Sequence, residues 1–235
     1  DVVADGLELL RNLEHRGTTG AEKDTGDGAG IMLQTPDSFF QDVLEASLPD
    51  TYAVGSLFLP QDDAAREALI SLVEDTFDTY DLSVLEWRDV PTNNDDLGKT
   101  AVDSEPDVWQ VVVTPDDDIS GDDFDRRLYV ARRALENSVE QRAQRASARD
   151  ARGDAVETAD IETKERFYVV SLDSDTVVYK GLLKGEQVPS YYPDLTDERM
   201  DSTFAMVHER FSTNTLGAWH LAHPYRNIIH NGEFN

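Results

Sequence analysis

The sequence predicts an α+β protein, and three patterns lead to that fold class. Apolar residues recur at helical spacing in Asp62–Tyr80 and from Phe124 to about Arg149, which predicts two amphipathic helices. Short β-type runs, such as Tyr52–Leu59 and Trp109–Thr114, lie between and beside these helices. The β runs occur in adjacent pairs as well as around helices. This excludes the strict alternation of a parallel-sheet dinucleotide fold.

A helix, a tight turn and a strand are predicted in that order at the N-terminus. The helix has its apolar positions at Val3, Leu7, Leu10 and Leu13. It should stop at Gly17, since glycine readily adopts positive φ. Residues 24–30 contain three glycines and predict a tight turn, which lacks the glycine spacing of a phosphate loop. Ile31–Thr35 is the predicted strand, and a helix follows from Asp37 to about Ala46.

Further strands and two loops complete the predicted order of elements. The helix at Asp62–Tyr80 should bury Ala65, Leu69, Leu72, Val73 and Phe77. Leu82–Trp87 is a strand, and the acidic stretches 89–107 and 151–162 are predicted surface loops. Phe167–Leu172 and Thr176–Lys180 flank Asp-Ser-Asp, which predicts a hairpin. The last predicted strands are Ala205–Phe211 and Asn227–His230.

The composition excludes several classes of partner and of site. The 235 residues carry 48 Asp and Glu against 21 Lys and Arg, a net charge of −27. Such a charge repels phosphate backbones, so we expect no nucleic-acid partner. No apolar run approaches the roughly 20 residues that a membrane span needs, so we expect no membrane partner. Because cysteine is absent, disulfides, thiolate metal sites and a cysteine nucleophile are excluded within these residues.

Arginine greatly outnumbers lysine among the basic residues, and half of the arginines lie in one segment. Only five of the 21 are lysine. Many carboxylates with few lysines are typical of cytoplasmic proteins from salt-loving archaea or bacteria, where molar salt shortens the Debye length to about 3 Å. An acidic mesophilic protein is the alternative. Eight arginines fall within Arg126–Arg152, so this helix is either a docking face or is paired with carboxylates of its own domain.

Two C-terminal segments carry residue types suited to binding and catalysis. Arg210 ends a predicted strand and precedes Ser-Thr-Asn, an arrangement suited to holding a carboxylate in a bidentate manner. The alternative is an ion pair with a nearby carboxylate. Asn231 and Gly232 follow another strand, and their side-chain amide and backbone N–H could form an oxyanion hole. Asn-Gly is also the commonest hairpin turn. His208, His223 and His230 share no metal-ligand spacing, so we expect structural roles for them and no metal site.

Taken together, these segments resemble the class II glutamine amidotransferase domain. The similarity lies in His-Arg-Gly (15–17), Asp-Gly-Ala-Gly (27–30), His-Glu-Arg-Phe-Ser-Thr-Asn-Thr (208–215) and His-Asn-Gly-Glu (230–233). Tyr-Tyr-Pro-Asp-Leu (191–195), Ala-His-Pro (222–224) and the long interval between the first and last motifs are similar to the large subunits of glutamate synthases. The resemblance covers essentially the whole chain.

The resemblance implies a four-layer α/β/β/α N-terminal-nucleophile hydrolase fold, here incomplete, and glutamine hydrolysis to glutamate and ammonia. It places Asn231 and Gly232 in the oxyanion hole and Arg210 on the α-carboxylate of L-glutamine. Thr213 and Asn214 would orient the substrate, and Arg16 would shape the pocket. The family's nucleophile is an N-terminal cysteine, which is absent here. We therefore expect a piece cut at both ends that is inactive alone.

The resemblance also implies a reaction shared with a separate synthase domain of the same polypeptide. There FMN and an iron–sulfur cluster would support the transfer of ammonia to 2-oxoglutarate, with ferredoxin or a small subunit as a further partner. No cofactor is expected within these residues. Two alternatives stay open: an amidotransferase with another ammonia acceptor, and a non-catalytic module that binds an amino acid or a partner.

Overall fold

The computed structural model describes residues 1–13, 22–152, 167–209 and 217–226. The helices are α1 (Val2–Asn12), α2 (Asp37–Val43), α3 (Asp63–Thr79), α4 (Lys99–Asp103), α5 (Asp122–Asp150) and the short α6 (Val188–Tyr191). The strands are β1 (Ala29–Gln34), β2 (Ala53–Leu59), β3 (Leu82–Asp89), β4 (Asp107–Pro115), β5 (Tyr168–Asp173), β6 (Thr176–Gly181) and β7 (Ala205–Glu209). The predicted α+β class is confirmed.

The chain divides into two compact units, and the first comprises Asp1–Ser47, Asp89–Glu105 and Asp175–Asn235. Its described part contains a three-stranded sheet in the order β6-β1-β7, in which β1 pairs antiparallel with both neighbours. The helix α1 packs against β7 and β1. It buries Val3, Leu7 and Leu10, as the helical spacing predicted.

The second unit comprises Leu48–Arg88 and Pro106–Ser174. Its four-stranded sheet has the order β3-β4-β2-β5, with β2 antiparallel to β4 and β5. The helix α3 begins where the Asp62 carboxylate accepts a hydrogen bond from the Ala65 amide. It buries all five predicted apolar residues. The apolar face of α5 and buried residues of the sheet form the core of the unit together with Leu69, Leu72, Val73 and Phe77.

The predicted hairpin at Asp173–Asp175 is wrong. The strands on either side exist, but β5 pairs with β2 in one sheet and β6 pairs with β1 in the other. The connector is held at both ends: the Ser174 hydroxyl lies 2.6 Å from Asp125 Oδ1, and the Thr35 amide donates to the Asp175 carbonyl. A polar three-residue connection is equally suited to either arrangement, so longer-range pairing decides between them.

Two predicted loops have different outcomes. The stretch 89–107 differs from a plain surface loop, because it contains α4 and buries Val90, Ala101 and Glu105. The hydroxyl of Tyr191 donates to the Glu105 carboxylate at 2.8 Å, which explains how this stretch can bury a charged group. The predicted loop 151–162 lies outside the described residues from position 153 onward.

The arginines in the first half of α5 pair with carboxylates of their own unit. Arg127 binds Asp117 at 3.0 Å, and Arg132 and Arg133 both bind Glu136. Of the two interpretations of this helix, a docking face or pairing with carboxylates of its own domain, the structure supports the second for this half. In the described part of the chain, no helix has the length and apolar character needed to cross a membrane.

Candidate functional site

One end of the three-stranded sheet brings distant parts of the first unit together. Ala29, the first residue of β1, pairs with Gly181 at the end of β6 and with Glu209 at the end of β7. The glycine-rich turn therefore enters the sheet beside the point where the chain leaves β7. We call this end of the sheet the β1 entry edge.

The C-terminal end of α1 lies at the same edge. A Cβ atom on Gly185 would come within 2.6 Å of the Leu10 carbonyl oxygen, so this close approach requires glycine. The amide of Gly185 also donates a 3.3 Å hydrogen bond to the Glu209 carboxylate. Gly185 thus connects the last turn of α1 with the last residue of β7.

The segment 217–226 crosses over β1 at this edge. A Cβ atom on Gly30 would lie 2.7 Å from the His223 carbonyl oxygen, so the backbones can approach only because Gly30 has no side chain. Lys180 donates from Nζ to the carbonyl oxygens of His220 (3.0 Å) and Ala222 (2.7 Å). The ring of His223 stacks on His208, with centroids 4.6 Å apart.

The glycine-rich turn is held from its other side by Glu22. Its carboxylate accepts hydrogen bonds from the Thr25 hydroxyl (2.8 Å) and from the amides of Lys99 (3.0 Å) and Thr100 (2.9 Å). These bonds, the Thr100 amide foremost, lower the pKa of Glu22 to about 2. The ionised carboxylate therefore ties the turn to the first turn of α4.

A cleft of about 520 Å³ opens beside the turn. Four carboxylates line it together with one lysine: Asp24, Asp95, Asp96, Glu186 and Lys184. Gln187 spans two parts of the lining, because its side-chain amide donates to the carbonyl oxygens of Asp24 (3.1 Å) and Asp96 (2.7 Å). The excess of carboxylates gives the cleft a negative potential, which favours cationic groups such as a primary ammonium.

Comparison with known proteins identifies the family. The family described as "Glutamine amidotransferases class-II" matches residues 1–235. The chain belongs to the class II glutamine amidotransferases. This membership confirms the N-terminal-nucleophile hydrolase fold that the motifs implied, and the helices and antiparallel sheets described above are consistent with it.

Individual relatives are large glutamate synthases. The chain is 40% identical to the glutamate synthase [NADPH] large chain of Bacillus subtilis (strain 168) and 37% identical to that of Azospirillum brasilense. It is 39% identical to the ferredoxin-dependent glutamate synthase 1, chloroplastic/mitochondrial, of Arabidopsis thaliana. Each alignment covers 100% of this chain but 14% of the relative's length.

The predicted site residues of this amidotransferase all lie outside the described residues. They are Arg16, Arg210, Thr213, Asn214, Asn231 and Gly232. Their roles stay predictions, and so do those of Gly17 as a helix stop and 227–230 as a strand. What the structure gives is the position of their described neighbours. Arg210 directly follows Glu209, and the chain reaches Asn231 five residues after Arg226.

Several residues that hold the β1 entry edge together are missed by sequence reasoning. The sequence marks Lys180 only as one of the few lysines, yet its side chain is fully buried. Glu22 and Gln187 have the sequence surroundings of ordinary surface residues. Yet Glu22 accepts from two adjacent amides of a distant segment, and Gln187 donates to two separate backbone segments. A signal exists for Lys180 alone: a lysine at the end of an apolar β run in a lysine-poor chain. His208 and His223 stack on each other at this edge, and the structural role predicted for them stays a prediction.

Proposed function

We propose that this domain hydrolyses L-glutamine and releases ammonia for transfer to 2-oxoglutarate in a glutamate synthase. Family membership supports glutamine as the nitrogen donor, and the relatives at 37–40% identity support glutamate synthase over other amidotransferases. The chain spans about one seventh of these relatives, so the synthase step belongs to polypeptide outside these residues.

The observation that carries the proposal is the convergence at the β1 entry edge. The chain leaves β7 for Arg210, enters β1 from the glycine-rich turn, and continues from 217–226 toward Asn231, all within the same unit. A substrate-binding arginine and an oxyanion hole must act on one glutamine molecule. The described residues that precede them in the chain, Glu209 and the segment 217–226, both lie at the β1 entry edge.

In the proposed mechanism, Arg210 holds the glutamine α-carboxylate, while Thr213, Asn214 and Arg16 complete the pocket. Asn231 and Gly232 donate hydrogen bonds to the oxygen that becomes negative when the side-chain amide is attacked. Because these 235 residues contain no cysteine, a thiol nucleophile has to come from polypeptide outside them. Attack of that thiol on the side-chain carbonyl carbon would break the C–N bond, release ammonia with the thiol proton, and leave a thioester. Water would then hydrolyse the thioester to glutamate and restore the thiol.

The iron–sulfur cluster proposed for the complete enzyme does not fit this domain. An iron–sulfur cluster is held mainly by cysteine thiolates, and the chain has none. We therefore assign the cluster to the separate synthase domain, and we propose that FMN binds there as well. Relatives that use NADPH and relatives that use ferredoxin are about equally similar, at 40% and 39% identity, so a small subunit and ferredoxin stand as equal candidates for the redox partner. We place the enzyme in the cytoplasm of a salt-adapted organism.

The test is an assay of the full-length protein that the gene encodes. We expect ammonia release that depends on glutamine, and glutamate formation when 2-oxoglutarate and a reductant are added. Asparagine in place of glutamine is the substrate control. Glutamine binding in a calorimeter without ammonia release would contradict the proposal and favour a non-catalytic binding module. Ammonia release without glutamate formation would indicate a different acceptor.

A further inference from the structure

We propose that Lys180 is a positioning residue for the proposed oxyanion donors, Asn231 and Gly232, because its side chain fixes the 220–222 turn that precedes them in the chain. The inference rests on the proposed function, since it concerns the same site. It assigns a role in catalysis to a residue that touches no substrate.

The position of Lys180 in the sheet explains how it reaches the turn. Lys180 on β6 and His208 on β7 are the two register partners of Gly30 on β1. The three residues form one row across the sheet. The segment 217–226 passes over the middle of this row, where Gly30 leaves room for it. A side chain at either end of the row can therefore hold the segment.

Lys180 holds the segment by several contacts. Its Nζ atom donates to the carbonyl oxygens of His220 and Ala222, at 3.0 and 2.7 Å. The same atom lies 4.9 Å from the centroid of the Tyr225 ring, within range of a cation–π contact. The Tyr225 hydroxyl in turn donates to the Leu221 carbonyl at 3.2 Å. One amine thus fixes both ends of a single turn.

Burying this amine is costly, which argues against Lys180 as simple filling of the core. The side chain is fully buried. Desolvation lowers its pKa well below the usual value, and the positive charge of Arg226 acts in the same direction. An apolar side chain of similar length would fill the volume without this penalty. Such an apolar side chain could not donate hydrogen bonds to the two carbonyl oxygens.

Loss of the Lys180 contacts should affect the rate of catalysis more than the binding of substrate. Asn231 lies nine positions after Ala222, and the segment between them begins at the turn that Lys180 holds. An oxyanion hole acts only when its donors lie about 2.7–3.1 Å from the oxygen that carries the developing charge, and a shift of about 1 Å can lower the rate about 100-fold. The proposed carboxylate clamp, Arg210, follows β7 in the chain and not this turn, so we expect glutamine binding to change less than catalysis.

The experiment compares kcat and KM for glutamine hydrolysis between the full-length wild-type protein and its Lys180→Met variant. We expect Lys180→Met to lower kcat about tenfold or more, normalised to the folded fraction, with KM changed less than about threefold. The matched control is Tyr192→Phe, which removes the 2.7 Å hydrogen bond to the carbonyl oxygen of Lys180 and leaves the 220–222 turn untouched. We expect its kcat to remain at the wild-type value.

The outcomes separate this inference from the proposed function. Wild-type enzyme without glutamine-dependent ammonia release overturns both. Active wild type with an unchanged kcat in Lys180→Met overturns the inference alone, as does an equal loss of kcat in Tyr192→Phe. If Lys180→Met does not fold, Tyr225→Phe decides, because it loosens the same turn at Leu221. A several-fold lower kcat at unchanged KM then supports the inference, and a wild-type kcat overturns it.

Discussion

The Nζ atom of Lys180 lies 2.7 Å from the carbonyl oxygen of Ala222, although 42 positions separate the two residues. This contact connects the end of β6 with the segment that continues toward Asn231. Together with the pairing of Ala29 with Glu209, it makes the β1 entry edge the centre of the proposed site.

Asn231→Ala should slow glutamine hydrolysis by about 10²–10³, with little change in KM, because an oxyanion donor, the role proposed for its amide, acts mainly in the transition state. The measurement is steady-state ammonia release by the full-length enzyme. Asn137→Ala, at an exposed position on α5, is the control and should retain wild-type kinetics. Normal turnover in Asn231→Ala would remove the oxyanion assignment.

Arg210→Ala should act mainly on substrate binding. Loss of a charge-assisted pair with the α-carboxylate should raise KM for glutamine about 10- to 100-fold, with a smaller effect on kcat. Arg142→Ala, which removes an exposed arginine of α5, is the matched control. If KM stays at the wild-type value while kcat falls, Arg210 does not hold the carboxylate.

Glu22→Gln should loosen the glycine-rich turn in a pH-dependent manner. The pKa of Glu22 in the folded protein is about 2, against an ordinary value of 4.5, so its ionised form stabilises the turn. This contribution is fully present above about pH 4.5 and is lost as the pH falls toward 2. At pH 7 we expect faster hydrogen exchange at the amides of Lys99 and Thr100 in the variant.

The difference in exchange between wild type and Glu22→Gln should shrink as the pH is lowered from about 4.5 toward 2. Glu67→Gln, at an exposed position on α3, should leave the exchange of both amides unchanged. Equal exchange in wild type and Glu22→Gln at pH 7 would show that the carboxylate does not hold the turn.

Thermal stability should rise with salt. At a net charge of −27 the acidic groups repel one another, and raising KCl from 0.1 M to 1 M shortens the Debye length from about 10 Å to about 3 Å. We expect a higher unfolding midpoint in molar KCl. Sucrose at a concentration of equal osmolality serves as the control for non-ionic effects. An unchanged midpoint between low and molar KCl would contradict the proposed adaptation to salt.

The local elements were largely predictable because their signals are local. The apolar spacing in α3 depends on residues within one or two turns, and the structure reproduces it. The hairpin at Asp173–Asp175 failed for the opposite reason. A polar turn between two β runs does not specify the partner of either strand, and each run pairs with a strand more than 100 positions away in sequence.

The sequence predicted the motifs of the site but not the side-chain contacts that hold their surroundings together. Nothing in the sequence near Lys180 indicates that its amine meets the carbonyl oxygens of residues 220 and 222, since that contact depends on the register of β6 with β1 and on the absence of a side chain at Gly30. Glu22 is similar, because its acceptor role depends on α4, more than 70 positions away.

The sequence by itself determined the α+β class, the family and most helix and strand positions, because these follow from short-range periodicity, turn chemistry and motif order. Only the tertiary structure decided which strands pair, which polar side chains are buried, and which segments meet at the β1 entry edge. The physical reason is that a buried charge or a close backbone approach is stabilised by partners that the folded chain brings from far along the sequence.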